Sequence, residues 1–175
     1  MDSVAGELSQ LAPDLPQIVR ITVRLLAALA VGTAIGTQRE LTHKTAGLRT
    51  HMLVALGTAV FVIGAAEGGM KGESLTRVLQ GIATGIGFLG GGAILKLTDR
   101  REVHGLTTAA GIWMTAAGST AAAVGQIALA FIATVFGLIV LTVFRRLEKE
   151  LGHRVRADGD DHPPPPVNPG KKEGS

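Results

Sequence analysis

The chain has 175 residues, enough for one domain of ordinary size, with 46% apolar and 18% charged residues and no cysteine. The missing thiols exclude disulfides, zinc–thiolate sites and cysteine nucleophiles, and a net charge of +3 is too small and dispersed to argue for nucleic acid. The charges collect in short clusters. Between them the chain runs roughly 17–20 residues at a time with little or no charge, the length that crosses the ~30 Å hydrocarbon core of a bilayer.

The segment 1–17 carries Asp2, Glu7 and Asp14, an acidic start where a signal peptide would be basic, so it is read as an extracytoplasmic N-terminal segment. Five spans are expected after it, at about 18–37, 49–66, 78–97, 105–124 and 126–144, with a tight turn at Gly125 between the last two. The expected fold is an all-α membrane protein, a bundle of about five short glycine-rich transmembrane helices. Glycine occurs 24 times, about twice the usual share. In water each costs a helix roughly 1 kcal/mol against alanine, whereas in a bilayer it lets two helices approach closely.

Lys and Arg orient the bundle. Arg39, Lys44 and Arg49, then Lys96, Arg100 and Arg101, then Arg145, Arg146, Lys149, Arg154 and Arg156, with Lys171 and Lys172, all fall on one side. Only Arg20, Arg24, Lys71 and Arg77 fall on the other. The rich side is expected in the cytoplasm, which puts the N-terminus outside and requires an odd number of spans. Arg24 lies about 9 Å inside the first span. It either snorkels to the interface or faces a polar cavity.

Within the spans, Gly32 and Gly36, Gly81 and Gly85, and Gly87 and Gly91 are each four apart and form flat strips for helix packing. Gly85-Ile86-Gly87-Phe88-Leu89-Gly90 formally matches G-x-G-x-x-G. It lies inside an apolar span without the preceding strand or a properly placed acidic residue, so dinucleotide binding is rejected. Gly90-Gly91-Gly92 is compatible either with close packing or with a broken helix that exposes backbone groups to a polar site. Thr107 and Thr108 open the fourth span, and Trp113, the only tryptophan, lies deeper than an interfacial anchor. The loop around Arg39, Glu40, His43, Lys44, Arg49 and His51 is the most chemically loaded region. Arg39 and Arg49 can bind lipid phosphate or a partner's carboxylate, and Glu40 can pair with either; a plain solvated interface is the alternative. No metalloprotease motif, nucleophile elbow or paired catalytic carboxylates occur, so no enzyme is expected. Residues 145–156 read as a basic juxtamembrane helix against anionic headgroups, and 157–175, with Pro163–Pro166, as a disordered tail.

Three segments together resemble the MgtC/SapB family of bacterial inner-membrane proteins. The first is Arg39-Glu40 with Ala46-Gly47-Leu48-Arg49-Thr50-His51 running into Met52-Leu53-Val54. The second is Gly85 through Gly92 and the third Val103-His104-Gly105 through Trp113. The likeness covers residues 20–144. It implies a non-enzymatic inner-membrane protein, without cofactor, linked to adaptation to low magnesium and in some members to virulence. It also implies a regulator that binds another membrane complex, including the ATP synthase, alongside an older view of the family as magnesium transport components. The functional candidates it marks are Arg39, Glu40, Arg49, His51, Arg77, Gly85, Gly87, Gly90, Gly91, Thr107, Thr108 and Trp113. Many members have an aspartate three residues before the position of Arg77; here Ser74 stands there, with Glu73 beside it. Longer members carry a soluble domain after the last span.

Two functions are therefore expected to compete. One is a regulator that packs through glycine faces against itself or another membrane protein. The other is a transporter or channel for Mg²⁺ or another small ion. Magnesium prefers oxygen ligands, usually carboxylates, and the spans contain no Asp or Glu, which favours regulation.

Overall fold

A computed structural model describes residues 14–97 and 102–145. The acidic segment 1–13, most of the basic stretch 145–156 and the tail 157–175 lie outside the described residues, as do Arg100 and Arg101.

Five helices follow one another. They are α1 (Leu15–Leu41), α2 (Leu48–Glu67), α3 (Glu73–Gly92), α4 (Leu106–Ala123) and α5 (Ile127–Ile139). A two-stranded antiparallel ladder, β1 (Leu95–Leu97) with β2 (Glu102–His104), joins α3 to α4. The segment Leu15–Leu41, the segment Leu48–Glu67 and the continuous helical run Ile127–Phe144 are each long and apolar enough to cross a bilayer. In α3 and α4, glycine, threonine and alanine replace much of the bulky apolar content. The chain is an all-α membrane protein built as a bundle of five glycine-rich helices. With 27 residues, about 40 Å long, α1 exceeds the bilayer core and must tilt or project beyond it. α3 is offset toward the N-terminus from the expected span 78–97, because its first turn begins at Glu73 and residues 95–97 are extended.

Local signals set the helix ends. Pro16 occupies the first turn of α1, where a missing N–H costs nothing, and the Asp14 carbonyl accepts from Gln17 N and Ile18 N. Gly47 precedes α2 and offers no side-chain cap. Glu40 Oε2 reaches across the loop and accepts the Leu48 N–H at 2.9 Å instead. Gly105 has φ +97°, and a Cβ there would collide with the Ala93 carbonyl, so only glycine can turn the chain from β2 into α4. Gly125 (φ +90°) makes the tight turn between α4 and α5.

The centre of the bundle is α4. It packs against α1, α2, α3 and α5, which requires small residues on several faces, and Gly111, Ala116, Gly118, Ser119 and Ala122 are all buried. α1 and α2 cross where Gly32 and Gly36 remove side chains. A Cβ on Gly32 would lie 2.7 Å from the Ala55 Cβ and from the His51 carbonyl, and one on Gly36 would lie 2.9 Å from the Leu48 Cα. Close approach of this kind increases van der Waals contact where the hydrophobic effect between helices is absent.

The glycines of α3 behave differently. The helix continues unbroken through Gly90-Gly91-Gly92, and the Ala93 N–H closes it on Leu89 and Gly90 carbonyls, so the alternative of a broken helix is corrected to an intact one. Only Ile86 and Gly90 are buried. Among the described residues, nothing lies within 4 Å of a Cβ built on Gly81, Gly85, Gly87 or Gly91.

At one end of the bundle, Glu67 at the close of α2 accepts from Gln17 Nε2 at 2.7 Å and lies 4.0 Å from Arg24 Nη1. Arg24 is about a quarter exposed, so it is paired at the rim rather than aimed into an interior cavity. This is the Glu67 end; the opposite one is the Arg49 end. Beyond Ile139, a separate compact unit begins with a π-helical turn, Val140–Phe144.

Replacing Gly32 or Gly36 with leucine is expected to cost about 1–3 kcal/mol or more from overpacking, read as a lower unfolding midpoint in detergent. Gly81→Ala is expected to be neutral or slightly stabilising, because its Cβ meets open space and helix propensity rises by up to about 1 kcal/mol.

Candidate functional site

The loaded loop of the sequence becomes a buried polar cluster just inside the Arg49 end. Arg39 lies in the last turn of α1, where the helix dipole favours a cation, and only 2% of it is exposed. Its Nη2 donates to Thr108 Oγ1 on α4 at 2.7 Å. His51, in the first turn of α2, is fully buried, and its Nδ1 is 2.8 Å from Thr115 Oγ1, also on α4. The Thr115 hydroxyl donates to the Gly111 carbonyl at 3.0 Å. A hydroxyl has one hydrogen and two lone pairs, so Thr115 can serve both neighbours at once.

Gly111 makes the meeting possible. A Cβ there would lie 3.4 Å from His51 Cε1 and 3.8 Å from Arg39 Nε. The two side chains from α1 and α2 therefore lie against bare α4 backbone. Thr108 and Thr115 are seven residues apart, two helical turns, so one face of α4 presents both hydroxyls. Three helices are cross-linked by hydrogen bonds in a region that excludes water, where a charge-assisted bond contributes more than a neutral one.

The other expected site residues are scattered. Glu40 caps α2 rather than pairing with an arginine. Arg39 is buried and hydrogen-bonded to Thr108, so the reading of it as a headgroup ligand is corrected. Arg49 is exposed at the N-terminus of α2. Arg77 pairs with Glu73 at 2.7 Å, one turn apart on α3 and both largely exposed. Gly90 packs on Ala109 at an ordinary 3.5 Å, whereas a Cβ on Gly85, Gly87 or Gly91 meets nothing within 4 Å among the described residues. Thr107 is exposed beside the buried Thr108, and Trp113 is 48% exposed on the outer face of α4. Sequence reasoning did not single out Thr115 or Gly111 as members of the cluster. The available signal was the spacing Thr108–Gly111–Thr115 along one helix face.

The described residues hold no group of three or more His, Cys, Asp or Glu side chains able to ligate a metal. What the cluster does chemically is hold a guanidinium, an imidazole and two hydroxyls in fixed geometry between helices.

A glycine-crossed helical membrane bundle closed by a buried Arg–Thr and His–Thr network defines the class of protein. The chain belongs to the MgtC family, whose sequence profile matches residues 25–150. It is 43% identical over 142 residues to Protein SrpB of Synechococcus elongatus, covering 74% of this chain and 77% of that one. It is 41% identical over 130 residues to "Putative magnesium transporter YhiD" of Escherichia coli (strain K12), covering 70% of this chain and 59% of the relative. It is 40% identical over 140 residues to Protein MgtC of Brucella abortus (strain 2308), covering 79% and 57% respectively. The chain thus spans less than two thirds of the length of the last two relatives. No solved structure matches it.

A double-mutant cycle on His51→Phe and Thr115→Val is expected to give a coupling of about 0.5–3 kcal/mol in detergent unfolding. Arg39→Met should be rescued in part by Thr108→Val, because the pair of substitutions removes both partners of a buried hydrogen bond. Strict additivity in both cycles would contradict the network.

Proposed function

We propose that this protein is a non-enzymatic regulator of the bacterial inner membrane, linked to growth at low magnesium, which acts by docking another membrane protein on the outer face of α3. One observation carries the reading. Gln80, Thr84, Gly87 and Gly91 recur at helical spacing along one face of α3, and all four are exposed. A polar amide and two bare glycines on a bilayer-embedded helix form a poor surface for lipid tails and a good one for a second helix. That helix can approach the glycine backbone and satisfy the amide. A subunit of a larger membrane complex such as the ATP synthase, or a second copy of this chain, is the kind of partner implied.

The interior supports regulation over cation movement. Arg39 brings a guanidinium between α1 and α4, and the α4 side chains bonded to it and to His51, Thr108 and Thr115, are hydroxyls. Mg²⁺ takes oxygen ligands, mostly anionic, and the described residues hold no cluster of three or more side chains of the kind that ligates a metal. The competing reading, transport, is favoured by the name of the Escherichia coli relative.

The Arg49 end is taken to face the cytoplasm. Lys44 and Arg49 are exposed there, and their side outweighs Lys71 and Arg77 at the Glu67 end in basic residues along the sequence.

Purified protein in liposomes loaded with a magnesium dye is expected to show no influx above empty vesicles, and influx would overturn the regulatory reading. In cells lacking the protein, wild type should restore growth at low magnesium, Gly87→Leu and Gln80→Leu should not, and Gly64→Leu should. The chain has no cysteine, so single cysteines report topology directly. In intact cells Lys71→Cys should react with an impermeant maleimide and Thr45→Cys should not.

A further inference from the structure

The groove between α2 and α3 is a different face of α3 from the proposed docking strip. It has a volume of 650 Å³, and its walls include Leu53, Gly57 and Phe61 on α2 and Val78, Gly85 and Leu89 on α3. At the Arg49 end it meets a second cavity of 360 Å³, with which it shares Val54 and Leu89. The second cavity changes character. Thr45, Thr50 and Thr108 line it, and Phe88, Leu89, Gly92 and Ala93 form its α3 side.

The two together form an elongated slot, apolar along its length and hydroxylated at one end. Cations stand at the hydroxylated end. Arg49 lies four residues before Leu53, so it stands one turn above it on the same face of α2, at the rim of the groove. Arg49 and Lys44, beside Thr45 in the loop, are both exposed. The nearest carboxylate of the loop, Glu40, is drawn to the Leu48 N–H and caps the helix. Arg39 lies behind Thr108, which accepts its hydrogen bond.

The slot is too narrow for a helix. From Leu53 to Phe61 the groove follows about 12 Å of α2, and a helix with side chains of that length would fill roughly 900–1,400 Å³. A methylene chain is thinner, and the space on both walls is bare because Gly57 and Gly85 present no side chain. An empty apolar slot open to a bilayer forfeits dispersion contacts on every lining atom, which a chain filling it restores.

We infer that the α2–α3 groove and the threonine pocket at its Arg49 end form one binding site for an anionic phospholipid, with an acyl chain along the groove and the phosphate beside Thr45, Thr50 and Arg49. The hydroxyls donate to the phosphate oxygens, and Arg49 and Lys44 select for net negative charge. The site is independent of docking on the outer α3 face, since it uses Gly85 rather than Gly87.

The test reconstitutes the full chain in vesicles of equal phosphatidylglycerol and phosphatidylcholine, extracts it in mild detergent, and counts retained lipid by native mass spectrometry. Wild type is expected to keep one phosphatidylglycerol in preference to phosphatidylcholine. Gly57→Leu and Gly85→Leu, on opposite walls and without a clash inside the chain, should each lose it while circular dichroism stays unchanged. Arg49→Gln should lower the preference by about fivefold, the contribution of one cation near an anionic headgroup. Gly87→Leu should leave retention intact even where it abolishes docking. A phosphatidylglycerol with a diazirine in its acyl chain should label peptides within 53–61 and 78–89, a readout that needs no variant. Equal retention of the two lipids, retention by both folded groove variants, or labelling concentrated on α5 would each overturn the site.

Discussion

The hydrogen bond from Arg39 to Thr108 ties the end of α1 to the start of α4, and much of the bundle follows from what that bond requires. A guanidinium among membrane helices is costly unless it is held by polar partners, and the cost rises with distance from the interface. Position limits it here. Arg39 sits in the last turn of α1, near the end of the bundle and in the favourable field of the helix C-terminus. Burial of so large a side chain also demands room, which Gly111 provides on α4 and the short loop to α2 closes off. His51 enters the same space from α2 and bonds Thr115. Three helices therefore share one polar junction, and their relative rotation is set by it.

Glycine plays two separate parts. In α1, Gly32 and Gly36 are spent on internal packing, and their missing side chains let α1 and α2 touch backbone to side chain. In α3, a Cβ on Gly81, Gly85, Gly87 or Gly91 would meet nothing within 4 Å among the described residues. Each glycine lowers helix propensity, a cost that the two proposed occupants would offset. The two strips point in different directions. One borders the groove suited to a lipid chain, and the other carries Gln80 and Thr84 and suits a protein helix. Either occupant would add contacts to the helix with the fewest buried residues among the long ones.

The two ends of the bundle differ in chemistry. At the Glu67 end, Arg24 and Gln17 converge on one carboxylate at the rim, a surface arrangement that holds α1 against α2. At the Arg49 end the charge is divided. Arg39 is withdrawn into the bundle, Glu40 is committed to capping α2, and Arg49 and Lys44 remain outside. Burial of Arg39 takes one cation off that surface, while the exposed Glu40 carboxylate stays beside Arg49 and Lys44.

Charge-free runs of bilayer length, basic clusters between them and glycines four apart were enough to determine a membrane bundle of about five helices, because these patterns depend on local periodicity and on the solvent the chain meets. Of the three family motifs, the second and third each lie within one helix or its entry, and the first joins the end of α1 to the start of α2. Which member of a motif does what was decided only by the tertiary structure. Arg39 and Arg49 look alike in sequence, yet one bonds Thr108 inside the bundle and the other faces out, because the first lies on the face that α4 covers. Thr107 and Thr108 differ by one residue and 100° of helix rotation, which puts one outside and one at the junction. Gly32 and Gly85 sit in identical four-residue spacings, and only the path of α2 past α1 decided that the first would be filled and the second left open.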